Sequence, residues 1–346
     1  MYKISNEKLP LLFAAIAENM DLYMPLHKHG QVNYGIWTNE EEPALDALNA
    51  VKSPKDLFFP QSETLYTCYK EGKKISIDPQ QLCGESFAVF GIRACDVKGI
   101  EVLDRVFLAD PVDSYYQARR EHGVLISRAC HEPDVTCFCK AFDIDAAEPV
   151  GDIVTWSVGE DLYWKPATEK GAALTETVKE LLTEADKTGE EAVEAEKEQI
   201  RAITGKLPYS SLSLDYFKNT PMQEIFDSPK WDELYKPCLA CGTCTFVCPT
   251  CQCYDIRDYD TGKGIRRFRC WDSCMYSDFT LMAHGNNRNS QMQRFRQRFM
   301  HKLVYYPVNN NGMFSCVGCG RCVEKCPSSL NIVKVIKAFE NQGGEK

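Results

Sequence analysis

The sequence predicts a mixed α+β protein in which an N-terminal α/β domain is followed by a helical, cysteine-rich domain. Three observations support this. Apolar runs typical of buried strands, such as FAVFGI, alternate with stretches of helical spacing in the first half. An acidic, cysteine-free segment follows, and twelve of the eighteen cysteines then fall between Cys238 and Cys326. We predict an α/β domain over residues 1–165, an acidic helical connector over 166–230 and a helical cysteine-rich domain over 231–346.

The first domain contains a predicted crossover unit. FAVFGI, residues 87–92, is a strand candidate, and RACDVKGIEVLDRVF after it repeats its apolar residues at helical spacing. A second helical stretch, DSYYQARREH, ends at Gly123, where the strand-like GVLIS begins. The order strand, helix, helix, strand predicts that the two strands are parallel.

Residues 166–206 are rich in Ala, Glu and Lys. Charges of opposite sign recur at a spacing of four residues, which is typical of solvated helices. We expect one or two helices here, interrupted near Thr188 and Gly189.

Composition excludes several classes of function. The net charge of −9 and the pI of about 5.3 disfavour nucleic acid as a partner, because phosphate binding needs a basic surface. No apolar run approaches the roughly 20 residues that span a membrane. The N-terminal apolar run, residues 11–17, is short for a signal peptide and fits an amphipathic first helix better. We therefore predict a cytoplasmic protein without membrane insertion.

The cysteine-rich part contains an internal repeat. Four cysteines and the following proline recur at a constant offset of 78 residues, and one glycine recurs with them. Such a match indicates a duplicated unit. The paired residues are Cys238 and Cys316, Cys241 and Cys319, Gly242 and Gly320, Cys244 and Cys322, Cys248 and Cys326, and Pro249 and Pro327.

Each copy has the spacing C-x2-C-x2-C-x3-C-P, the run with which bacterial ferredoxins bind [4Fe–4S] clusters. Gaps of two residues let a short turn present three thiolates to one cluster, and glycine permits close approach of the backbone. Zinc sites use two C-x2-C pairs instead. Since the fourth cysteine of each run ligates the other cluster in two-cluster proteins, we predict two ligand sets: Cys238, Cys241, Cys244 and Cys326, and Cys316, Cys319, Cys322 and Cys248.

The 67 residues between the runs are expected to be helical. RNSQMQRFRQRFMHKLVYY places Met292, Phe295, Phe299 and Leu303 on one face, which predicts a helical ferredoxin domain. Arginines lie beside that face. We expect them to compensate the negative charge of thiolate-bound clusters and to form part of the surface. They are Arg288, Arg294, Arg296 and Arg298.

Ten further cysteines lie outside the two runs and are less specific. Cys95 and Cys130 each follow a predicted parallel strand and so share one sheet edge, and Cys137 and Cys139 alternate around Phe138. Two interpretations stay open for these four: a third [4Fe–4S] cluster, or buried thiols of an α/β core. For Cys251, Cys253, Cys270 and Cys274 the sequence favours packing near a cluster over ligation of a further metal, and both interpretations stay open. Cys68 and Cys83 carry no pattern.

Several motifs together resemble one family. RACD, TCFC, CPTCQCY and the two cysteine runs are similar, in the same order, to the iron–sulfur subunits that include the anaerobic sulfite reductase A subunit and the sulfhydrogenase beta subunit. The similarity covers roughly residues 85–335. The family carries cysteines matching Cys95, Cys130, Cys137 and Cys139 together, which favours the third cluster. Cys270 departs from the sulfite reductase pattern and is not assigned as a ligand.

The resemblance implies an electron-transfer subunit that is not itself catalytic. It would relay electrons between a partner subunit that carries FAD and reacts with NAD(P)H, similar to ferredoxin–NADP reductase, and a terminal redox subunit of an anaerobic complex. The acceptor and the direction of flow stay open. FAD is expected on the partner, since this chain has no G-x-G-x-x-G after a strand. The alternatives are an iron–sulfur sensor or adaptor and a thiol/disulfide reductase that uses the additional cysteines.

Overall fold

The computed structural model describes residues 1–340 and confirms the mixed α+β class. Fourteen strands in this part of the chain form three sheets. The strands are β1 (Tyr2–Ser5), β2 (Asp21–Lys28), β3 (Gln31–Ile36), β4 (Ser62–Glu71), β5 (Lys74–Pro79), β6 (Phe87–Ile92), β7 (Gly123–Arg128), β8 (Ile153–Val158), β9 (Asp161–Pro166), β10 (Thr183–Glu184), β11 (Tyr254–Asp260), β12 (Ile265–Trp271), β13 (Leu281–Met282) and β14 (Gly285–Asn286).

The helices follow the same order, and a π-helical turn at His301–Tyr305 separates two of them. No helix of the described residues is long and apolar enough to cross a membrane. The α-helices are α1 (Leu9–Ala17), α2 (Lys55–Phe58), α3 (Ala94–Phe107), α4 (Ser114–His122), α5 (Glu169–Thr177), α6 (Lys187–Gly205), α7 (Asp215–Asn219), α8 (Met222–Phe226), α9 (Lys230–Leu234), α10 (Thr243–Phe246), α11 (Gln291–Met300), α12 (Tyr306–Asn309), α13 (Arg321–Glu324) and α14 (Ile332–Glu340).

An eight-stranded sheet organises the N-terminal half, in the order β10-β1-β9-β8-β7-β6-β2-β3. Strands β2, β6, β7 and β8 run parallel, which confirms the predicted crossover through α3 and α4. Every residue of β6 is buried, because helices cover both faces of the sheet. Phe90 and Ile126 pack towards α1 and α5, whereas Val89 and Leu125 pack towards α2, α3 and α4.

Residues 166–206 form two α-helices, α5 and α6, as expected, but the interruption lies earlier than predicted. Asp186 caps α6, its side chain accepting a hydrogen bond from the backbone of Gly189 at 2.8 Å. Thr188 and Gly189 therefore belong to the first turn of α6. Val193 and Ile200 of this helix are buried against Trp156, so α6 covers part of the sheet and is not solvated all round.

The spacer between the cysteine runs is only partly helical. The predicted amphipathic segment forms α11, the π turn and α12, and Phe295, Phe299 and Leu303 lie in the core of the C-terminal part as predicted. Strands β11 and β12, however, occupy the first part of the spacer. They complete a four-stranded sheet, β11-β12-β4-β5, with strands from the N-terminal half. The domain boundaries at residues 165 and 230 stay a prediction.

A buried ion pair joins the two halves of the molecule. Asp96, in the first turn of α3, accepts two hydrogen bonds from Arg321 at 2.5 and 2.8 Å. Both side chains are 1% exposed. Arg321 also donates to the carbonyl of Ala50 at 2.8 Å. The ion pair therefore fixes the start of α3 against the second cysteine run.

We predict that Asp96→Ala destabilises the protein by about 3–5 kcal/mol, because the Arg321 guanidinium loses its counter-charge while it stays buried. Denaturant unfolding of anaerobically prepared protein measures this change. Asp258→Ala is the matched control, since it removes a carboxylate from an exposed pair with Arg267. Its unfolding midpoint is expected to stay near that of the wild type. An equal loss in both variants would contradict the role given to the buried pair.

Candidate iron–sulfur sites

The two cysteine runs adopt the same local backbone. Gly242 has φ 75° and Gly320 has φ 77°, and a short helix, α10 or α13, begins directly after each. Ala240 and Gly318, two residues earlier, also have positive φ values of 55° and 60°. The left-handed conformation at positions 242 and 320 explains the glycines at both. The repeat seen in the sequence is therefore also a repeat in structure.

The surroundings of the two runs differ strongly. Leu239, in the first loop, is 67% exposed, whereas its counterpart Val317 is 2% exposed. The second cysteines of the two runs differ in the same way, because Cys241 is exposed and Cys319 is buried. The first loop thus faces outwards and the second lies inside the molecule.

Residues from the N-terminal half cover the second loop. The backbone N–H of Phe138 donates to the carbonyl of Gly318 at 2.7 Å, and the Asn49 side chain donates to the carbonyl of Cys319 at 2.9 Å. The thiol of Cys137 lies 3.7 Å from the same Cys319 carbonyl. The segment that carries TCFC is therefore packed directly on the second cysteine run.

One predicted ligand set converges in the interior. Burial, together with the neighbouring Cys248 and Cys319, raises the pKa of the Cys316 thiol to about 12. Burial also raises the pKa values of Cys319 and Cys322, and Cys248 is again among their neighbours. The structure thus brings the fourth cysteine of the first run to three cysteines of the second. The assignment of these four as ligands of one cluster stays a prediction.

The other predicted set lies nearer to the surface. Burial raises the pKa of Cys244, and Cys238 and Cys241 are among the neighbours that raise it. The backbone N–H of Ala240 donates to the Cys238 sulfur at 3.4 Å. Cys326, the fourth member, packs against the same apolar core as Cys238, and its sulfur contacts the Leu330 carbonyl at 3.1 Å.

A buried arginine supports the fit of this region to iron–sulfur clusters. Arg298 is 4% exposed, and its Nε atom has no hydrogen-bond partner. The neighbours that raise the pKa of Arg298 are cysteines of both runs, first Cys244 and then Cys322. A buried cation is costly without negative charge nearby, and iron-bound thiolates provide such charge. Arg298 thus lies where charge compensation was expected.

The donor spacing is not that of a mononuclear site. In the part of the chain that the structure describes, no three His, Cys, Asp or Glu side chains are close enough to hold a single metal ion. A [4Fe–4S] cluster carries its ligands on separate irons, so its thiolates stand farther apart.

The four N-terminal cysteines line one pocket: Cys95, Cys130, Cys137 and Cys139. Cys95 and Cys130 reach it from the carboxyl ends of the parallel strands β6 and β7, as the sequence predicted. Burial raises the pKa of Cys139 to about 12 and raises those of Cys95 and Cys137 as well. Cys319 also lines this pocket, a contact that no sequence pattern indicated.

The remaining cysteines of the C-terminal part separate into two environments. Cys251 is hydrogen-bonded to Cys248, and a hydrogen bond from Cys274 lowers the pKa of Cys253 to about 7. Cys251, Cys253 and Cys274 thus lie close to the cysteine runs. Cys270 instead lies on β12 opposite Asp255, and its neighbours are Arg257, Asp255 and Asp272.

Comparisons with known proteins support the iron–sulfur interpretation. Residues 237–330 match a family described as a 4Fe-4S dicluster domain. The chain is also similar to the sulfhydrogenase 2 subunit beta of Pyrococcus furiosus, with 29% identity over 340 residues that cover 96% of each protein. These findings confirm the resemblance stated from the motifs and the expectation of [4Fe–4S] clusters.

We predict that Gly320→Ala lowers the iron content, because the new Cβ would lie 2.8 Å from the carbonyl oxygen of Thr136 and displace the second loop. Iron per chain after anaerobic purification measures the effect. Gly262→Ala is the control. Gly262 has the same φ of 77°, but no atom lies within 4 Å of the added carbon. Equal iron contents in the two variants would show that crowding against Thr136 is unimportant.

Proposed function

We propose that this chain, which is similar to a sulfhydrogenase beta subunit over 96% of its length, relays electrons between two partner subunits of an anaerobic cytoplasmic complex. The family comparison and the dicluster domain support an electron-transfer subunit of a hydrogenase-type oxidoreductase. Within that class, we propose that one partner carries FAD and reacts with NAD(P)H and that the other is the terminal redox subunit.

The observation that carries the proposal is the proximity of three groups of cysteines, since Cys248 of the interior group is among the neighbours that raise the pKa of Cys244 in the first group. Cys241 exposes the first group at the surface, while Cys248 and the second run form an interior group. Cys319 belongs to the interior group and also lines the pocket of the N-terminal cysteines. The groups therefore follow one another through the molecule, which is the arrangement an electron relay requires.

The chain's own residues hold and insulate these sites. Each [4Fe–4S] cluster, when bound, takes up and releases an electron at a potential set by its surroundings. The left-handed glycines shape the two loops, the N-terminal segment around Phe138 excludes water from the second loop, and Arg298 provides a buried positive charge. We propose Cys238, Cys241, Cys244 and Cys326 as one ligand set and Cys316, Cys319, Cys322 and Cys248 as the other.

We further propose a third [4Fe–4S] cluster in the N-terminal pocket. Four thiols on separate elements converge there: Cys95 from α3, Cys130 after β7, and Cys137 and Cys139 from TCFC. Their burial disfavours the charged form of a free thiol, whereas binding to iron stabilises the thiolate. The position supports a relay that continues from Cys319 into the N-terminal half.

Counting iron tests this proposal. Anaerobically purified protein is expected to contain about twelve irons per chain, and Cys95→Ser about eight, because one cluster of four irons is lost. Electron paramagnetic resonance (EPR) of the reduced protein should show the same loss while the signals of the repeated runs persist. Cys68→Ser is the control, since Cys68 lies on β4 and lines neither site. Unchanged iron in Cys95→Ser would contradict the third cluster.

Reversible reduction separates the relay from a sensor. A relay is expected to pass through repeated cycles of reduction and oxidation without losing iron, whereas a sensor with a labile cluster loses it. Iron and acid-labile sulfide measured before and after cycling give the answer. Disulfide reduction by the isolated chain would instead favour a thiol reductase that uses cysteines such as Cys253 and Cys274.

A further inference from the structure

The cation most closely associated with the cysteines is Lys302, in the π turn that follows α11. Lys302 is 4% exposed. The ammonium donates to Thr250 Oγ1 at 2.7 Å, to the Ser315 carbonyl at 3.2 Å and to Cys248 Sγ at 3.4 Å. Thr250 ends the first run and Ser315 precedes the second, so Lys302 joins the two runs at one point.

The counter-charge of Lys302 comes from cysteines, which carry negative charge as thiolates when they bind iron. Within residues 1–340 its hydrogen bonds reach no carboxylate, and the negative groups that act on it are Cys248, Cys251 and Cys316. An ammonium group is buried at high cost unless negative charge lies close to it. Two of these cysteines, Cys248 and Cys316, belong to the interior ligand set.

A second buried lysine, Lys55, also lies beside Cys248. Lys55 is 3% exposed, and its ammonium donates to the carbonyls of Cys248 and Cys251 at 3.0 and 2.9 Å. It also lies 3.7 Å from the centre of the Trp271 ring. Another cation beside this ligand set, Arg321, is neutralised by Asp96. The two lysines therefore add positive charge around Cys248 beyond that of Arg298.

The corresponding cysteine of the second run has a different environment. Cys326 is the counterpart of Cys248, and Ser328 matches Thr250. Among the described hydrogen bonds, the Cys326 sulfur meets only oxygen atoms, the Leu330 carbonyl at 3.1 Å and the Ser328 hydroxyl at 3.6 Å. The duplication has thus kept the hydroxyl group at both sites but supplied a buried ammonium at one.

Arg298 does not create this difference, because its neighbours come from both ligand sets. Cys244 belongs to the outer set, and Cys322 and Cys248 belong to the inner one. Its charge is expected to act on both sites in the same sense.

Positive charge close to a cluster stabilises the reduced form, which carries one more negative charge. We propose that Lys302 acts as a positioning residue that makes the site of Cys248, Cys316, Cys319 and Cys322 more readily reduced than the site of Cys238, Cys241, Cys244 and Cys326. The inference rests on the proposed electron-transfer function and on the crossed ligand sets. It assigns an order of electron affinity to two sites whose sequences are nearly symmetric.

A redox titration followed by EPR tests the proposal on the full chain. Lys302→Met is expected to lower the equilibrium constant for reduction of one cluster about tenfold, equal to about 59 mV for one electron. The signal that moves should be the one altered in Cys316→Ser and unaltered in Cys241→Ser. Lys302→Arg retains the charge and is expected to keep the potential near that of the wild type.

Two comparison variants sharpen the test. Arg298→Gln is expected to shift both signals, whereas Lys236→Met is expected to shift neither, because Lys236 is exposed and paired with Glu233 although it lies two residues from Cys238. If Lys302→Met fails to retain iron, Lys55→Met supplies the measurement, with a shift of the same signal in the same direction.

Four results would overturn the inference: no shift in either lysine variant, a shift of both signals in Lys302→Met, a shift confined to the signal altered in Cys241→Ser, or an equal shift in Lys302→Arg. The proposed function can fail separately. If the wild-type chain gave no reversible cluster signals, the proposed electron relay would be contradicted. If it gave two normal signals whose potentials do not change in Lys302→Met, only the assigned order of reduction would be contradicted.

Discussion

The buried pairing of Asp96 with Arg321 is the constraint on which the remaining geometry depends. Asp96 directly follows Cys95, and Arg321 lies between Cys319 and Cys322, so one pair of hydrogen bonds positions two groups of cysteines. Charges buried this deeply persist only with a partner in good geometry. The pairing therefore couples the parallel sheet to the helical domain at the place where their cysteines meet.

Charge is distributed unevenly in this protein. The chain carries a net charge of −9, yet the cations Lys302, Lys55 and Arg298 are buried around the cysteine runs. A negative exterior and a positive interior are expected where the interior holds thiolates bound to iron. The surface charge supports solubility, and the interior charge contributes to the electron affinity of the sites.

Local patterns in the sequence predicted much of this arrangement, and long-range contacts account for the rest. Strand β6, helix α11 and the repeat at offset 78 follow from apolar periodicity and cysteine spacing. Strands β11 and β12 were missed because both are rich in charged residues and lack the apolar run of a buried strand, and because β12 pairs with β4, far away in sequence. The role of Lys302 could not be predicted either, because in the sequence it looks like any basic residue that flanks the apolar face of a helix.

The two copies of the cysteine run are not equivalent, because the N-terminal half covers one loop and leaves the other exposed. Two copies of one cysteine run would form an arrangement with interchangeable ends if both met the same surroundings. Here Val317 is sealed beneath the N-terminal half, while Leu239 projects outwards at the equivalent position. Under the proposed relay, the exposed loop is therefore the end that another protein can contact directly. The covered loop would exchange electrons through the N-terminal pocket that Cys319 lines, so a duplicated sequence would serve two different neighbours.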